Sequence, residues 1–214
     1  MQNCLVVDLS HHNPEPDFAQ AKAAGLVGVI HKATQGTGFV DSRYAARKQA
    51  ALDAGLLWGA YHFGTDANVP SQVDHFINTV NPDGSFFVAL DFERNDPDPQ
   101  HSMQLADAKR FLDDFANKTG LSPTLYTGQY VFDTVGNHAD PDLARHRVWW
   151  ARYRSQPDLH PSWSEYFLWQ YTDGTHGPLG PKQFPGVGPC DCNHYDGTAA
   201  GLQAAWLQQA FAVV

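Results

Sequence analysis

The chain has 214 residues, 43% hydrophobic and 17% charged, and Asp plus Glu outnumber Lys plus Arg by 23 to 14 for a formal charge of −9. That length fits one large domain or two small ones, and the apolar content is enough for a sizeable core rather than a disordered chain. An acidic chain lacks the basic footprint that nucleic acid requires, so no nucleic acid partner is expected, and no apolar run is long enough for a membrane-spanning helix.

In chain order, Cys4–Leu9 reads as a first buried strand and Phe18–Ala24 as a short helix with Gly25 as its C-cap. Leu26–Ile30 is a second β-branched run, Ser42–Ala54 an Ala-rich helix stopped by Gly55, and Leu56–Phe63 a third strand. Gln72–Val80 predicts a third helix, Pro82-Asp83-Gly84 a turn, and Phe86–Leu90 a fourth strand. Met103–Lys118 has the clearest amphipathic helical period, ending at Thr119-Gly120. Strand alternating with helix predicts a parallel sheet with helices packed outside it. After Pro123 the pattern changes to short strands at Thr124–Tyr126, Val148–Trp150 and Tyr166–Tyr171, separated by segments rich in Pro, Gly, Asp and His rather than helical ones. A barrel that begins with βα units and finishes with strands and loops fits this better than a doubly wound sheet. No linker, low-complexity tract or repeat interrupts the chain, so residues 1–214 are expected to form a single α/β domain.

The first residues, Met1–Asp8, lack the basic and long apolar regions of a secretory leader, so none is expected. Three cysteines do not make a disulfide framework. For Cys190 and Cys192, separated by one residue, direct pairing would be strained, and buried free thiols are the expectation. No ligand spacing for a metal is present, and no cofactor is expected.

In parallel βα architectures the reactive groups collect at the C-terminal ends of the strands. Here those ends carry Asp8-Leu9-Ser10-His11-His12-Asn13, then His31-Lys32-Ala33-Thr34-Gln35, then Tyr61-His62-Phe63, then Asp91-Phe92-Glu93. Asp91 and Glu93 form the sharpest pair. Residues i and i+2 of a strand face the same way, about 6.5–7 Å apart. Two carboxylates that close push one proton affinity upward, leaving one group protonated and the other ionised. Glycosidic cleavage needs that division, an acid for the leaving oxygen and an anion against oxocarbenium-like charge. Asp8 brings a third acid to the same rim. The His11-His12-Asn13 turn reads as a polar loop, as part of the mouth or as a metal-binding turn, although two adjacent histidines do not easily ligate one ion. Tyr61, Tyr126, Trp150, Tyr153, Trp169 and Tyr171 all fall near strand ends, where sugar rings would stack, although adjacent Trp149 and Trp150 cannot both face inward.

Taken in order, Val7-Asp8-Leu9-Ser10, Lys32-Ala33-Thr34-Gln35-Gly36, Gly59-Ala60-Tyr61-His62-Phe63, Asp91-Phe92-Glu93, Trp150-Ala151-Arg152-Tyr153, Trp169-Gln170-Tyr171 and Asp191-Cys192-Asn193 resemble the glycoside hydrolase family 25 lysozymes, the Chalaropsis-type N-acetylmuramidases. The resemblance spans nearly the whole chain. It implies a modified TIM-like (β/α)5β3 barrel and cleavage of the β-1,4 bond from N-acetylmuramic acid to N-acetylglucosamine in bacterial peptidoglycan. It also implies Glu93 as general acid and base, Asp91 assisting the substrate's 2-acetamido group, and Asp8 and Asp191 as the other acids of the site. Tyr61, His62, Tyr126, Trp150, Tyr153, Gln170 and Gln35 are the expected substrate-binding residues. Gln35 departs from the glutamate usual in such enzymes. The expected protein is a monomer acting on the cell wall, without metal or membrane insertion. A catalytically silent peptidoglycan-binding module and a chitinase-like hydrolase remain the alternatives.

Overall fold

The computed structural model describes residues 2–207, so the termini of the expected 1–214 unit lie outside the described residues. Its elements are β1 (Val6–Leu9), α1 (Phe18–Ala23), β2 (Gly28–Gln35), β3 (Phe39–Val40), α2 (Tyr44–Asp53), β4 (Leu57–Phe63), α3 (Val69–Val80), β5 (Phe87–Asp91) and α4 (Leu105–Thr119). They continue with β6 (Thr124–Thr127), α5 (Gln129–Val135), β7 (Val148–Ala151), β8 (Leu168–Thr172), β9 (Gln183–Phe184), β10 (Gly188–Pro189), β11 (Asp191–His194) and α6 (Ala199–Trp206).

Eight strands close on themselves in the order β1, β2, β4, β5, β6, β7, β8, β11, with β3 added as a flap on β2. Neighbours from β1 through β8 run parallel; β11 is antiparallel to both β8 and β1 and completes the ring. Five βα units followed by three barrel strands give the expected (β/α)5β3 order. Two helices escaped the sequence reading. Gln129–Val135 and Ala199–Trp206 are short, and glycines beside them, Gly128, Gly136 and Gly197, masked the period.

The two-residue period of the strands divides the core. Val6, Ile30, Phe87, Ala89 and Leu168 fill the barrel interior, while Val7, Val29, Ala60, Val88, Leu90 and Leu125 face the helices. Phe76 of α3 and Phe111 and Phe115 of α4 cover that outer layer. Trp206 of α6 plugs the N-terminal end of the barrel, where its ring packs so tightly that a Cβ on Gly28 would sit 3.0 Å from it. With the bottom closed by an indole, the acids lie at the opposite, top end of the interior.

Arg47 of α2 is buried and ties the β1–α1 loop down by donating to the carbonyls of Ser10, Asn13 and Pro14 at 2.9, 2.9 and 3.1 Å. His31 stacks on Trp58 with ring centroids 5.9 Å apart and stands 3.3 Å from the same guanidinium. Burial first, and then the Arg47 charge, hold this imidazole down at about 4, so it is neutral and accepts from Arg47. His31 is therefore part of the loop anchor.

Candidate active site

Asp8 is the inward residue at the end of β1, and the barrel closure sets it directly opposite Asp191 of β11. Phe87, Ala89 and Asp91 alternate inward along β5. The strand ends at Asp91, but Phe92 N still donates to Tyr126 O at 2.9 Å, so extended backbone carries Glu93 to the same side. Asp8, Asp91, Glu93 and Asp191 together with Tyr61, Tyr126, Trp149, Tyr153 and Gln170 line one cavity of about 190 Å³.

Asp8 is held by two amides. Gln170 Nε2 donates to Oδ1 and Oδ2 at 3.1 and 2.9 Å, and Asn193 Nδ2 donates to Oδ2 at 2.8 Å. Both amides have fixed orientations. Gln170 Oε1 accepts from the hydroxyls of Tyr126 and Tyr153, each at 2.8 Å, and Asn193 Oδ1 accepts from Trp149 Nε1 at 2.6 Å. Burial pushes the Asp8 carboxyl up to about 6, with the two amides opposing the rise. Burial and the facing Asp8 push Asp191 up to about 9.

The central pair is more isolated. Burial, then Glu93, raise Asp91 well above the usual carboxylate range, and Lys32 opposes them. Burial, then Asp96, push Glu93 up to about 7, again against Lys32. Asp91 Oδ1 is buried and accepts no hydrogen bond from any described residue. Buried carboxyls hold protons because the low-dielectric surroundings penalise the anion. The site thus keeps a protonated carboxyl near neutral pH beside an acceptor oxygen with nothing to accept from. Burial, followed by the surrounding carboxylates, keeps the phenol of Tyr61 protonated; burial and Tyr153 do the same for Tyr126.

Three expected binding residues lie elsewhere. Trp150 is buried in the layer between barrel and helices, its Nε1 donating to Pro157 O at 2.5 Å. Trp149 takes the cavity position instead, packed edge-on to Tyr126 with centroids 4.6 Å apart. His62 also faces outward: its ring bonds Thr34 Oγ1 at 2.7 Å and Gln72 Oε1 at 3.1 Å and stacks on Phe111 at 5.0 Å. Burial holds it at about 3, leaving it neutral. The physical reason is parity, since Tyr61 points in and its neighbour must point out. Gln35 does not line the cavity; its Oε1 accepts from Lys32 Nζ at 2.7 Å. Trp169 and Tyr171 belong to the outer layer as well.

Asn193, Trp149 and Lys32 were not singled out as site residues from the sequence. The first two follow once inward parity is assigned, because Asn193 is two residues from Asp191 and Trp149 pairs with Tyr126 across β6 and β7. The His11-His12 turn is built against Asp41, whose Oδ2 lies 2.8 Å from His11 Nδ1 and also accepts His11 N at 2.9 Å. Among the described residues, no three His, Cys, Asp or Glu side chains are arranged to hold a metal ion. Cys4, Cys190 and Cys192 are buried free thiols. No helix among the described residues is long and apolar enough to cross a membrane.

The model of the glycosyl hydrolases family 25 matches residues 7–178. Lysozyme M1 of Streptomyces globisporus is 26% identical over 210 residues, covering 92% of this chain and 69% of that protein. The N,O-diacetylmuramidase of Chalaropsis sp is 28% identical over 182 residues, covering 78% of this chain and 86% of the relative. Among solved structures, a muramidase from Acremonium alcalophilum superposes with a TM-score of 0.77 at 29% identity over 92% of this chain and 96% of its own. A bacterial lysozyme from Streptomyces coelicolor gives 0.79 at 25% identity, over 94% and 95% respectively.

Proposed function

The chain belongs to glycosyl hydrolases family 25, and from that membership we propose that it is a lysozyme cleaving the β-1,4 bond between N-acetylmuramic acid and N-acetylglucosamine in bacterial peptidoglycan. The observation that carries the reading is the convergence of Asp8, Asp91, Glu93 and Asp191 in one aromatic-lined cavity at the mouth of the barrel.

Glu93 acts as the general acid. Its carboxyl, pushed up to about 7, carries a proton at neutral pH and delivers it to the glycosidic oxygen as the bond to the anomeric carbon breaks. The 2-acetamido oxygen of the same sugar attacks the anomeric carbon and forms an oxazolinium ring. The unpartnered, buried Asp91 Oδ1 supports a role as acceptor for the acetamido N–H, orienting the group and stabilising its developing positive charge. Water then opens the ring, giving its proton to the Glu93 carboxylate, with net retention at the anomeric carbon. This substrate-assisted course lies outside the usual two-carboxylate scheme. Asp8 and Asp191 surround the sugar with acceptors, while Tyr61, Tyr126, Tyr153 and Trp149 provide its aromatic walls.

Turbidity clearing of purified cell walls, with mass spectrometry of the released fragments, tests the reading. Clearing that leaves muramic acid at the new reducing ends is the expected result. N-acetylglucosamine at those ends would point to different bond specificity, and walls bound without clearing would point to a silent module.

A further inference from the structure

The cavity contains more acid than its own hydrogen bonds support. Asp91 is buried, accepts nothing on Oδ1, and neighbours a second, half-buried carboxyl, Glu93. Left alone, two such groups would both take a proton, and the pair would lose the anion that a developing cation requires. One cation answers this, and it comes from β2.

Lys32 aligns with Tyr61 of β4, and Phe63 of β4 aligns with Asp91 of β5, so Lys32 and the acid pair sit on one rim two strands apart. A register shift between Lys32 and Thr34 turns the strand at this point. The ammonium rides over the ring of Phe63, 4.7 Å from its centroid, and 5.6 Å from that of Phe39 in the β3 flap. Its hydrogen bond goes to the neutral amide of Gln35 at 2.7 Å, and it forms no ion pair within 4 Å among the described residues. Burial lowers the proton affinity of this ammonium, and the neighbouring Asp91, Asp41 and Glu93 oppose that fall. Held by an amide and two aromatic faces rather than by an ion pair, the cation directs its charge at its surroundings. Those surroundings are Asp91 at the end of β5 and Glu93 just after it, Asp41 from the segment after β3, and neutral His62 from β4. Asp8 acts on the same pair from β1, and Asp96 acts on Glu93 from the following loop.

We propose that Lys32 is a positioning residue for the acid pair: its ammonium, latched by the neutral amide of Gln35, keeps one negative charge on Asp91 and Glu93 so that together they hold a single proton for the leaving group. The proposal rests on the reading of Glu93 as the acid. Gln35 matters because it holds the lysine without neutralising it. A carboxylate in its place would form an ion pair with Lys32 and turn that charge away from the site.

The test combines pH–rate profiles of wall clearing with carboxyl-carbon NMR titration of the Asp91–Glu93 pair, in wild type, Lys32→Met, Lys32→Arg and Gln35→Glu. Lys32→Met is expected to move both limbs of the profile up by about one pH unit or more, as loss of a nearby cation does. It should lower kcat far more than it changes KM. Lys32→Arg should restore most of the shift. Gln35→Glu, which keeps the lysine, should move both limbs the same way by a smaller amount. The NMR titration reads the proton count of the pair without turnover, so it stands even where walls are not cleared. A pair that titrates at the same pH in wild type, Lys32→Met and Gln35→Glu overturns the proposal and leaves the lysozyme reading intact. Wild-type protein that fails to clear walls overturns the lysozyme reading on which the proposal rests. Should Lys32→Met fail to fold by circular dichroism, Gln35→Glu alone decides.

Discussion

Gln170 Nε2 donates to both carboxylate oxygens of Asp8, at 3.1 and 2.9 Å, across 162 positions of sequence. Its other end accepts two tyrosine hydroxyls, so the amide can only face Asp8 one way round. Hydrogen bonds to a charged group are worth about 1.5–3 kcal/mol, and here they oppose the effect of burial on Asp8. Gln170→Leu should therefore raise the Asp8 proton affinity and lower kcat/KM by roughly 10–100-fold. Steady-state clearing kinetics check the rate. An unchanged rate would remove Asp8 from the working site.

Glu93→Gln should abolish wall lysis with the fold intact, a loss on the order of 10²–10⁴ for a general acid. Asp91→Asn should lose most turnover while retaining substrate binding, since an amide keeps the shape of the acceptor but loses the charge. Fragment binding measured by calorimetry beside clearing rates separates the two effects.

The pH dependence follows from the same carboxyl. Glu93, pushed up to about 7 by burial and then Asp96, must be protonated to act, so clearing should fall as pH rises through about 7. Stability carries a matching sign. A carboxyl with a raised folded value costs nothing below its unfolded value, 4.5 for this glutamate, and the cost grows until the folded value is passed. Glu93→Gln should thus melt higher than wild type at pH 8, with the difference closing by pH 4. Thermal unfolding across that range checks it, and a wild type that melts higher at pH 8 would contradict the buried, protonated acid.

The two adjacent tryptophans should separate cleanly. Trp149→Phe removes the indole N–H that holds Asn193 and thins a cavity wall, so activity should drop about tenfold with little change in melting temperature. Trp150→Ala opens the layer beneath the helices and should cost about 3–5 kcal/mol of stability. Paired melts and clearing assays distinguish these outcomes.

Arg47→Met should also destabilise, by about 3 kcal/mol, because it removes a buried guanidinium and strips three loop carbonyls of their donor. Denaturant unfolding measures the loss, and the loop it frees carries Ser10 through Pro14, adjoining Asp8.

The alternation of strands and helices through Thr119, a barrel rather than a doubly wound sheet, and the gathering of acids at one rim were legible in the residues, because apolar runs of period two and stretches of period 3.6 alternate and Asp8, Asp91 and Glu93 each stand at a strand end. The helices α5 and α6 and the closing strand β11 were not. What a linear pattern leaves open is parity. Trp149 and Trp150 are the same residue type, and only the register with Tyr126 and Trp169 turns the first inward and the second out. Tyr61 and His62 divide in the same way, for the same reason. The clamp of Gln170 and Asn193 on Asp8, and the Lys32 charge facing Asp91 and Glu93, exist only once β11 closes the ring and β2 lies beside β4. Proton affinities belong to the tertiary structure too, since they depend on how much water and how many neighbouring charges each carboxyl meets, and no stretch of local sequence determines either.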